Sequence, residues 1–312
     1  MSRPEILILA GPTACGKTDV AHALLACFPV EMISCDSMQV YRSMSVLTQA
    51  PVRRKGRGPV THLVSFLSPQ KEYNASLFRR DAVKLIDRII QKKKTPLLVG
   101  GTGLYLRALL DGLFEADGQE LVRDENFRKR LAEEHEKLGA GALHERLRQI
   151  DASSAEKIHP NDIRRVIRAL EVHHLTGRTL SSLKANRRGL RDDFHVGFFF
   201  LDRDREDLYD RINRRVERMW RGGVVEEVRK LLKRKPSLTA RMALGVREAG
   251  AYLKGELSKK EAIELLKQNT RNYAKRQLSW FRHEKGITPI QVSKDETASA
   301  TARKVLEVWE KR

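Results

Sequence analysis

The feature that most constrains this chain is a glycine-rich loop near its start, residues 11–18, which read GPTACGKT. The loop matches the pattern G-x-x-x-x-G-K-[ST], in which backbone N–H groups and a helix N-terminus bind phosphate oxygens. The apolar run at residues 5–10 predicts a buried strand before the loop, and residues 17–28 predict a helix after it. Since the motif requires this context, we expect a phosphate-binding loop and not an incidental glycine turn.

Further apolar runs predict strands at residues 30–35, 95–99 and 196–201, with a helix at residues 76–92. Strands that alternate with helices predict an α/β fold, here a P-loop doubly wound parallel sheet. The sequence between the last two strands is charged and helical. We therefore expect a core of residues 1–117 and 196–312 with C-terminal helices, and a helical insertion domain at 118–195. From residue 203 onward the pattern predicts helices.

The charge of the chain indicates a polyanionic partner. It has 60 Lys and Arg residues against 40 Asp and Glu residues, a net charge of +20. Residues 203–285 alone hold 23 basic and 12 acidic residues. A surplus of this size is typical of nucleic-acid binding, although a generically basic enzyme is the alternative.

The cysteine spacing and the hydropathy of the sequence indicate the cellular compartment of the protein. Cys15, Cys27 and Cys35 form no C-x-x-C pair, which excludes a zinc site or a disulfide framework and favours a reducing environment. We expect no signal peptide, because a single short apolar run precedes the glycine-rich loop, and no apolar stretch is long enough to span a bilayer. We expect a cytoplasmic protein, and a monomer because no exposed heptad seam is evident.

Two loop residues carry chemistry beyond the backbone. We expect the Lys17 ammonium to neutralise a terminal phosphate and the Thr18 hydroxyl to ligate Mg²⁺. Phosphoryl transfer also needs an acid at the end of a second strand, but two glycines and a threonine follow the strand at 95–99. Asp202, after the strand at 196–201, is either a metal ligand or the cap of the next helix.

Asp36 follows the strand at residues 30–35, at the sheet edge where ligands of doubly wound folds bind. A carboxylate there can accept a proton or hydrogen bond from a nucleophile. It can equally cap the next turn. Position alone leaves both roles open.

Four basic stretches are candidate anion contacts. Residues 53–57 (RRKGR) read as an exposed basic loop. A helix that starts near Ile163, capped by Asn161 or Asp162 and ending at Gly177, carries either a cationic ridge or an ordinary solvated face. In the stretch 211–218, arginines recur beside an apolar helix stripe. One or two of them can reach a diphosphate, and the others face solvent or nucleic acid. In the helix at 270–282 we assign the aromatic side chains to the core and the charges to RNA.

Several stretches together resemble the bacterial-type tRNA dimethylallyltransferase (tRNA isopentenyltransferase) family. They follow the family order over nearly the whole chain, and several are specific to it. They read GPTACGKT (11–18), ISCDSMQVYR (33–42), PLLVGGTGLYLRALLDGL (96–113), HPNDIRRVIRALEV (159–172), RINRRVERM (211–219) and TRNYAKRQLSWFR (270–282).

The resemblance implies transfer of a dimethylallyl group from dimethylallyl diphosphate to N6 of adenosine 37, in tRNA numbering, beside the anticodon. The loop would then hold the diphosphate leaving group, with Mg²⁺ as cofactor on Thr18, and the adenine would be flipped out of its stack. The implied catalytic residues are Asp36, Thr102 and Arg215. The implied diphosphate site is Gly11, Pro12, Thr13, Ala14, Cys15, Gly16, Lys17, Thr18 and Arg211. The implied contacts to the tRNA anticodon stem-loop are Asp36, Ser37, Met38, Gln39, Thr102, Arg128, Arg164, Arg165 and Arg168.

Three positions depart from the family pattern, at Gln49-Ala50, Ser65 and Val246, and none is an expected catalytic residue. Three alternative functions stay open. A P-loop small-molecule or nucleoside kinase predicts ATP turnover. An enzyme that prenylates a free adenine nucleotide is the second alternative, but it would have little use for a basic insertion. A non-catalytic RNA-binding P-loop protein predicts tRNA binding that survives Asp36→Ala.

Overall fold

The computed structural model describes residues 3–51, 60–113, 121, 123–185 and 187–311. Their contacts divide the chain into two compact units. The first joins residues 1–107 to residues 193–312, and the second comprises residues 108–192. The expected limits of the insertion, 118 and 195, compare with 108 and 192 here, and its contact with tRNA stays a prediction.

In the described part of the chain, a sheet of six parallel strands forms the centre of the first unit. The strands are β1 (Glu5–Ala10), β2 (Val30–Cys35), β3 (Thr61–His62), β4 (Thr95–Gly100), β5 (His195–Arg203) and β6 (Thr288–Val292). Their order across the sheet is β3-β2-β4-β1-β5-β6. Register pairs such as Ile8 with Leu98 and Ile8 with Phe198 place β1 between β4 and β5.

The strands are apolar because helices cover both faces of the sheet. Ile6 to Ala10 of β1 are all at most 1% exposed, and a buried cluster of Leu7, Leu24, Phe199 and Trp309 packs around the centre of the sheet. The predicted doubly wound parallel sheet is confirmed, as are four of its strands, β1, β2, β4 and β5.

The described residues of this unit form or enter ten helices. They are α1 (Lys17–Cys27), α2 (Ser45–Thr48), α3 (Ala75–Gln91), α4 (Gly103–Leu110, which leads into the second unit), α11 (Arg205–Arg221), α12 (Val224–Lys233), α13 (Leu238–Arg241), α14 (Val246–Leu253), α15 (Lys259–Arg282) and α16 (Ala298–Glu310). The helices predicted at 17–28 and 76–92 are confirmed as α1 and α3. Within the described residues, no helix is both long enough and apolar enough to cross a membrane.

One expectation was wrong: the chain after residue 203 is not helical throughout, because β6 pairs in parallel with β5. The stretch TPIQV buries only Ile290 and Val292 and exposes Pro289 and Gln291. An edge strand of five residues that includes proline lacks the continuous apolar run that marks a central parallel strand.

The second unit is helical. Its helices are α5 (Glu125–Leu138), α6 (Ala140–Ile150), α7 (Ala152–Lys157), α8 (Ile163–Thr176), α9 (Leu180–Ala185) and α10 (Leu190–Asp193, which leads back to the first unit). Their core includes Leu131, Leu147 and Leu170. Of the two expected caps for α8, the structure has Asp162, and the helix ends at Gly177 with a φ of 65°.

Candidate active site

The glycine-rich loop lies between β1 and α1, at the carboxyl edge of the sheet. Gly16 caps the N-terminus of α1 with a φ of 101°, a conformation that favours glycine. A Cβ added there would lie 3.6 Å from Nη2 of Arg211 and 3.7 Å from Nη2 of Arg203. Two guanidinium groups therefore flank the helix N-terminus, where backbone N–H groups and the helix dipole already favour an anion.

Both arginines bind the loop backbone. Nε of Arg203 donates to the Cys15 carbonyl at 2.8 Å, and Nε of Arg211 donates to the Ala14 carbonyl at 2.8 Å. Arg203 is buried and also pairs with Asp207 at 2.8 Å. Burial and the neighbouring Arg203 lower the pKa of Arg211. Since like charges and burial both disfavour a charged arginine, a bound anion would relieve the cost of holding these groups together.

Lys17 contacts the same loop. Its Nζ donates to the carbonyl oxygens of Gly11 at 2.9 Å and Pro12 at 2.7 Å. Lys17 and Thr18 line a cavity of about 820 Å³ in the first unit. Of the other expected diphosphate residues, some also line this cavity: Thr13, Ala14, Gly16 and Arg211. Others do not: Gly11, Pro12 and Cys15, the last of which is buried in the core.

A glutamine from α15 ties two loops of the cavity together. Oε1 of Gln277 accepts the Thr13 N–H at 2.9 Å, and its Nε2 donates to the Gly101 carbonyl at 2.9 Å. Gln277 is 8% exposed. Gln277 was not predicted as a site residue, although the sequence holds a signal for it: Gln277 is a polar residue on the buried stripe that includes Ala274 and Phe281.

Asp36 follows β2 and lines the cavity. Its Oδ1 accepts the N–H groups of Met38 at 2.8 Å and Gln39 at 3.3 Å. Asp36 is thus the cap of the next turn, and the same bonds fix its carboxylate. Oδ2 accepts no hydrogen bond from the described residues. One oxygen is therefore held and the other is left to accept a proton, so the two roles considered from sequence are compatible.

Thr102 connects this turn to the end of β4. Its Oγ1 accepts the Ser37 N–H at 3.1 Å, and its N–H donates to the Cys35 carbonyl at 3.3 Å. The two strands approach closely here, since a Cβ on Gly100 would lie 2.0 Å from the Cys35 carbonyl oxygen. Thr102 itself is not among the residues that line the cavity. Through these hydrogen bonds, Thr102 fixes the turn that holds Asp36.

Arg215 lies on α11, one turn after Arg211, and also lines the cavity. Its Nη2 donates to the Thr48 carbonyl at 3.1 Å. Burial lowers the pKa of Arg215, and the negative charge of Asp36 partly offsets that effect. An arginine stays protonated under these conditions, so Arg215 supplies a fixed positive charge in the cavity that Asp36 also lines.

The cavity has an apolar wall as well as a charged one. Apolar side chains that line it include Met32, Leu47, Val99, Met219 and Leu244. A cavity with an anion site, a carboxylate and an apolar wall suits an amphipathic ligand that carries phosphate.

Thr18 and the anion site fit a magnesium ion in their donor chemistry. The described residues hold no group of three or more His, Cys, Asp or Glu side chains that could bind a metal. Mg²⁺ does not need one, since it binds through one or two protein oxygens, substrate phosphates and water. Asp202, the alternative ligand, is not among the residues that line the cavity, and its Oδ2 accepts a hydrogen bond from Gln291 at 3.0 Å.

The expected tRNA-contacting arginines of the second unit fall into two groups. Arg128 and Arg168 bind the fully buried Glu171: Nε and Nη2 of Arg128 lie 2.7 and 2.8 Å from its oxygens, and Nη1 of Arg168 lies at 2.5 Å. Arg164 and Arg165 are exposed, and Arg165 pairs with Asp162 at 3.2 Å. Only the second pair has the exposure expected of a cationic ridge. The basic loop at 53–57 lies outside the described residues.

A P-loop sheet, an arginine-flanked helix N-terminus and a carboxylate at the next strand end define a P-loop protein whose cavity suits a phosphorylated ligand. More particularly, the chain belongs to the IPP transferase family, whose model matches residues 39–284. The resemblance noted in the sequence is thereby confirmed.

Individual relatives agree with this assignment. The chain is 40% identical over 291 residues to the tRNA dimethylallyltransferase of Halothermothrix orenii, covering 92% of this chain and 88% of that protein. It matches the crystal structure of the full-length tRNA isopentenylpyrophosphate transferase from Bacillus halodurans with a TM-score of 0.70 and 34% identity, over 99% of this chain and 97% of the other. A eukaryotic dimethylallyltransferase acting on tRNA matches with a TM-score of 0.82 and 26% identity, over 99% and 80%.

Proposed function

We propose that this protein transfers a dimethylallyl group from dimethylallyl diphosphate to N6 of adenosine 37 of tRNA. The N6 lone pair attacks C1 of the dimethylallyl group, and the C1–O bond breaks with its electron pair leaving on diphosphate. N6 loses one proton. The products are N6-(dimethylallyl)adenosine in tRNA and diphosphate, so atoms and charge balance.

One observation carries this proposal: the anion site and the Asp36 carboxylate line the same cavity. A leaving diphosphate needs positive charge that is already in place, because such charge then costs no reorganisation as the bond breaks. An aromatic amine that forms a new bond needs an acceptor for its proton. Residues suited to both tasks, charge stabilisation and proton acceptance, line one cavity of about 820 Å³.

The side chains then have separate roles. Lys17, Arg211 and the N-terminus of α1 bind the diphosphate, and Arg215 stabilises the charge that grows on it. The free Oδ2 of Asp36 accepts the N6 proton. Thr102 keeps the Asp36 turn in register with the end of β4 through its bond to Ser37. The apolar wall takes the dimethylallyl tail.

Mg²⁺ is the cofactor that this site favours, and Thr18 is the residue that would hold it. When bound, the ion neutralises charge on diphosphate oxygens. The protein's part is to present the Thr18 hydroxyl beside the anion site, on the first turn of α1.

The macromolecular partner follows from charge and access. A net charge of +20 suits a nucleic acid, and exposed Arg164 and Arg165 are the candidate contacts of the second unit with the anticodon stem-loop. The reacting base must leave its stack, since an amine within a stacked loop cannot reach a carbon inside a cavity. We expect the protein to work as a monomer in the cytoplasm, where tRNA is found.

A direct assay tests the proposal. The purified protein is incubated with Mg²⁺, unmodified tRNA and radiolabelled dimethylallyl diphosphate, with ATP added to a parallel sample. The RNA is then digested and its labelled nucleosides identified. A matched tRNA with guanosine at position 37 is the control, because it lacks the acceptor amine at C6.

Label in N6-(dimethylallyl)adenosine, independent of ATP and absent from the control tRNA, is the expected result. ATP consumption without transfer of label would replace the proposal with a kinase. Label on a free adenine nucleotide but not on tRNA would mean that the acceptor substrate is the nucleotide and not tRNA. Tight tRNA binding with no reaction would mean that the protein binds RNA without catalysing the transfer.

A further inference from the structure

A glutamate outside the cavity wall holds the short helix α2. Oε1 of Glu227, on α12, accepts the Leu47 N–H at 2.7 Å, and its Oε2 accepts the Val46 N–H at 3.0 Å. These two amides belong to the first turn of α2, where a helix has no internal acceptors for its N–H groups. Burial raises the pKa of Glu227, and the amide hydrogen bonds oppose that rise.

The other end of α2 contacts the candidate active site. The carbonyl of Thr48, its last residue, accepts Nη2 of Arg215 at 3.1 Å and Nε2 of Gln39 at 3.5 Å. In the part of the chain that the structure describes, Arg215 makes no ion pair, so this carbonyl is the contact that orients its guanidinium. A four-residue helix is too short to be stable alone. Its position therefore depends on what holds it from outside.

We propose that Glu227 is a positioning residue for Arg215, which it orients through α2 and the Thr48 carbonyl. The inference rests on the proposed function, in which Arg215 stabilises the departing diphosphate. Release of α2 from Glu227 lets the carbonyl move, and the guanidinium moves with it. A displacement of about 1 Å at a reacting centre lowers turnover by up to about 100-fold.

The test compares Glu227→Ala with Glu227→Gln, and uses Glu226→Gln as the matched control. Glu226 neighbours Glu227 on α12, but it is exposed and pairs with Arg229 and with Lys230. Glu227→Gln keeps the side-chain volume and one acceptor oxygen. We expect kcat to fall about 10- to 100-fold in Glu227→Ala, less in Glu227→Gln and not at all in the control. The KM for tRNA should change less than kcat, because α2 reaches an expected tRNA contact only through the 3.5 Å hydrogen bond from Gln39 to the Thr48 carbonyl.

A double variant separates positioning from general destabilisation. If Glu227 acts through Arg215, adding Glu227→Ala to Arg215→Ala should lower kcat by less than about threefold, since coupled residues are not additive. An equal loss in both backgrounds would overturn the inference, as would full activity of Glu227→Ala. Thermal unfolding of each variant identifies any that fails to fold, and Glu227→Gln then supplies the comparison.

The outcomes also distinguish this inference from the proposed function. A wild-type protein that transfers no dimethylallyl group to tRNA overturns the proposed function itself. An Arg215→Ala variant with full turnover overturns the role of Arg215 and therefore this inference. An active wild type, an impaired Arg215→Ala and an unimpaired Glu227→Ala overturn the positioning role alone.

Discussion

At the scale of single residues, Asp36 shows how one side chain serves both fold and chemistry. Its Oδ1 accepts two backbone N–H groups and so closes the turn that follows β2. Because this oxygen is fixed, the position of Oδ2 in the cavity is fixed as well. A general base needs defined geometry before its pKa matters. The cap is therefore part of the candidate catalytic arrangement.

Asp36→Asn separates these two roles. Asparagine keeps a side-chain oxygen for the Met38 and Gln39 amides but cannot take up the N6 proton. We expect turnover to fall by at least about 100-fold, the usual contribution of a general base, while tRNA still binds, because phosphate contacts and not one base contact dominate its affinity. Single-turnover transfer assays and filter binding measure the two quantities.

Asp36→Ala is the companion variant, because it removes the turn cap together with the base. It should lose as much turnover as Asp36→Asn and should also be less stable by about 1 kcal/mol, the typical loss of a side-chain cap. Full turnover in Asp36→Asn would show that another group accepts the proton.

Site residues that lie in or directly after a local sequence motif were predictable. Site residues that reach the site through contacts between distant parts of the chain were not. The loop at 11–18 and Asp36 follow strands whose apolar runs are visible in the sequence. Arg203 ends a strand whose apolar run is visible, and Gln277 is a polar residue on a buried helix stripe, but neither position indicates which part of the chain the side chain binds. Their partners in the loop, Cys15 and Thr13, are 188 and 264 residues away. Only the folded sheet brings these residues together.

At the scale of elements, Glu171 of α8 joins two helices of the second unit. It is fully buried and accepts hydrogen bonds from Arg128 of α5, from Arg168 and from the Asp124 N–H. Burial raises the pKa of Glu171, but the hydrogen bonds to both arginines outweigh burial and lower it to about 2. The carboxylate is therefore charged in the folded unit and stabilises the packing of α5 on α8.

Glu171→Gln should destabilise the second unit. Glutamine removes the negative charge that both guanidinium groups bind, and a hydrogen bond to a charged group contributes about 1.5–3 kcal/mol. We expect a loss in that range by denaturant unfolding of the full chain. The matched control is Glu145→Gln, since Glu145 is exposed and pairs with Arg148 on the surface, where ion pairs contribute less than about 1 kcal/mol.

The pH dependence of this effect has a defined sign. The pKa of Glu171 is lower in the folded state than its usual 4.5, so its contribution is complete above that value and is lost as the pH falls toward 2. The stability difference between wild type and Glu171→Gln should therefore be constant from pH 7 to pH 5 and shrink between pH 4.5 and pH 2. A difference that is independent of pH would mean that shape and not charge matters here.

Arg164 provides the tRNA prediction at this scale. It is exposed on α8, whereas Arg168 is bound to Glu171. We expect Arg164→Gln to weaken tRNA binding and to reduce the slope of log affinity against log salt by about 1, as for one lost phosphate contact. Arg148→Gln is the matched control, an exposed arginine of α6 in the same unit. Equal slopes for the two variants would make the Arg164 side of α8 a solvated surface.

The elements themselves were predictable where their signals are local. The helix α8 has an apolar stripe, an aspartate cap and a terminal glycine, and its start and end follow from these. The strand β6 has only five residues with alternating exposure. Its pairing with β5 depends on a neighbour that is about 90 residues earlier in the chain, so no local pattern defines it.

At the scale of the whole molecule, the order of the strands creates the site. β1 lies between β4 and β5, so the glycine-rich loop comes next to Gly101 on one side and Arg203 on the other. The sequence predicts that the strands are parallel, since each crosses over through helical chain. It does not predict which strands are neighbours, because that depends on the packing of every crossover at once.

The net charge of +20 leads to the last prediction. tRNA binding that engages about four phosphates should have a slope of about −3 against log salt, so raising salt from 50 to 200 mM should weaken it about 50-fold. The KM for dimethylallyl diphosphate should change less than about threefold, because its phosphates lie in a cavity where mobile ions screen poorly. Filter binding measures the tRNA affinity and steady-state kinetics measures the KM for dimethylallyl diphosphate, each at both salt concentrations. Thermal unfolding shows whether the protein stays folded. Equal salt sensitivity for both substrates would mean that the surplus charge acts on the diphosphate and not on the RNA.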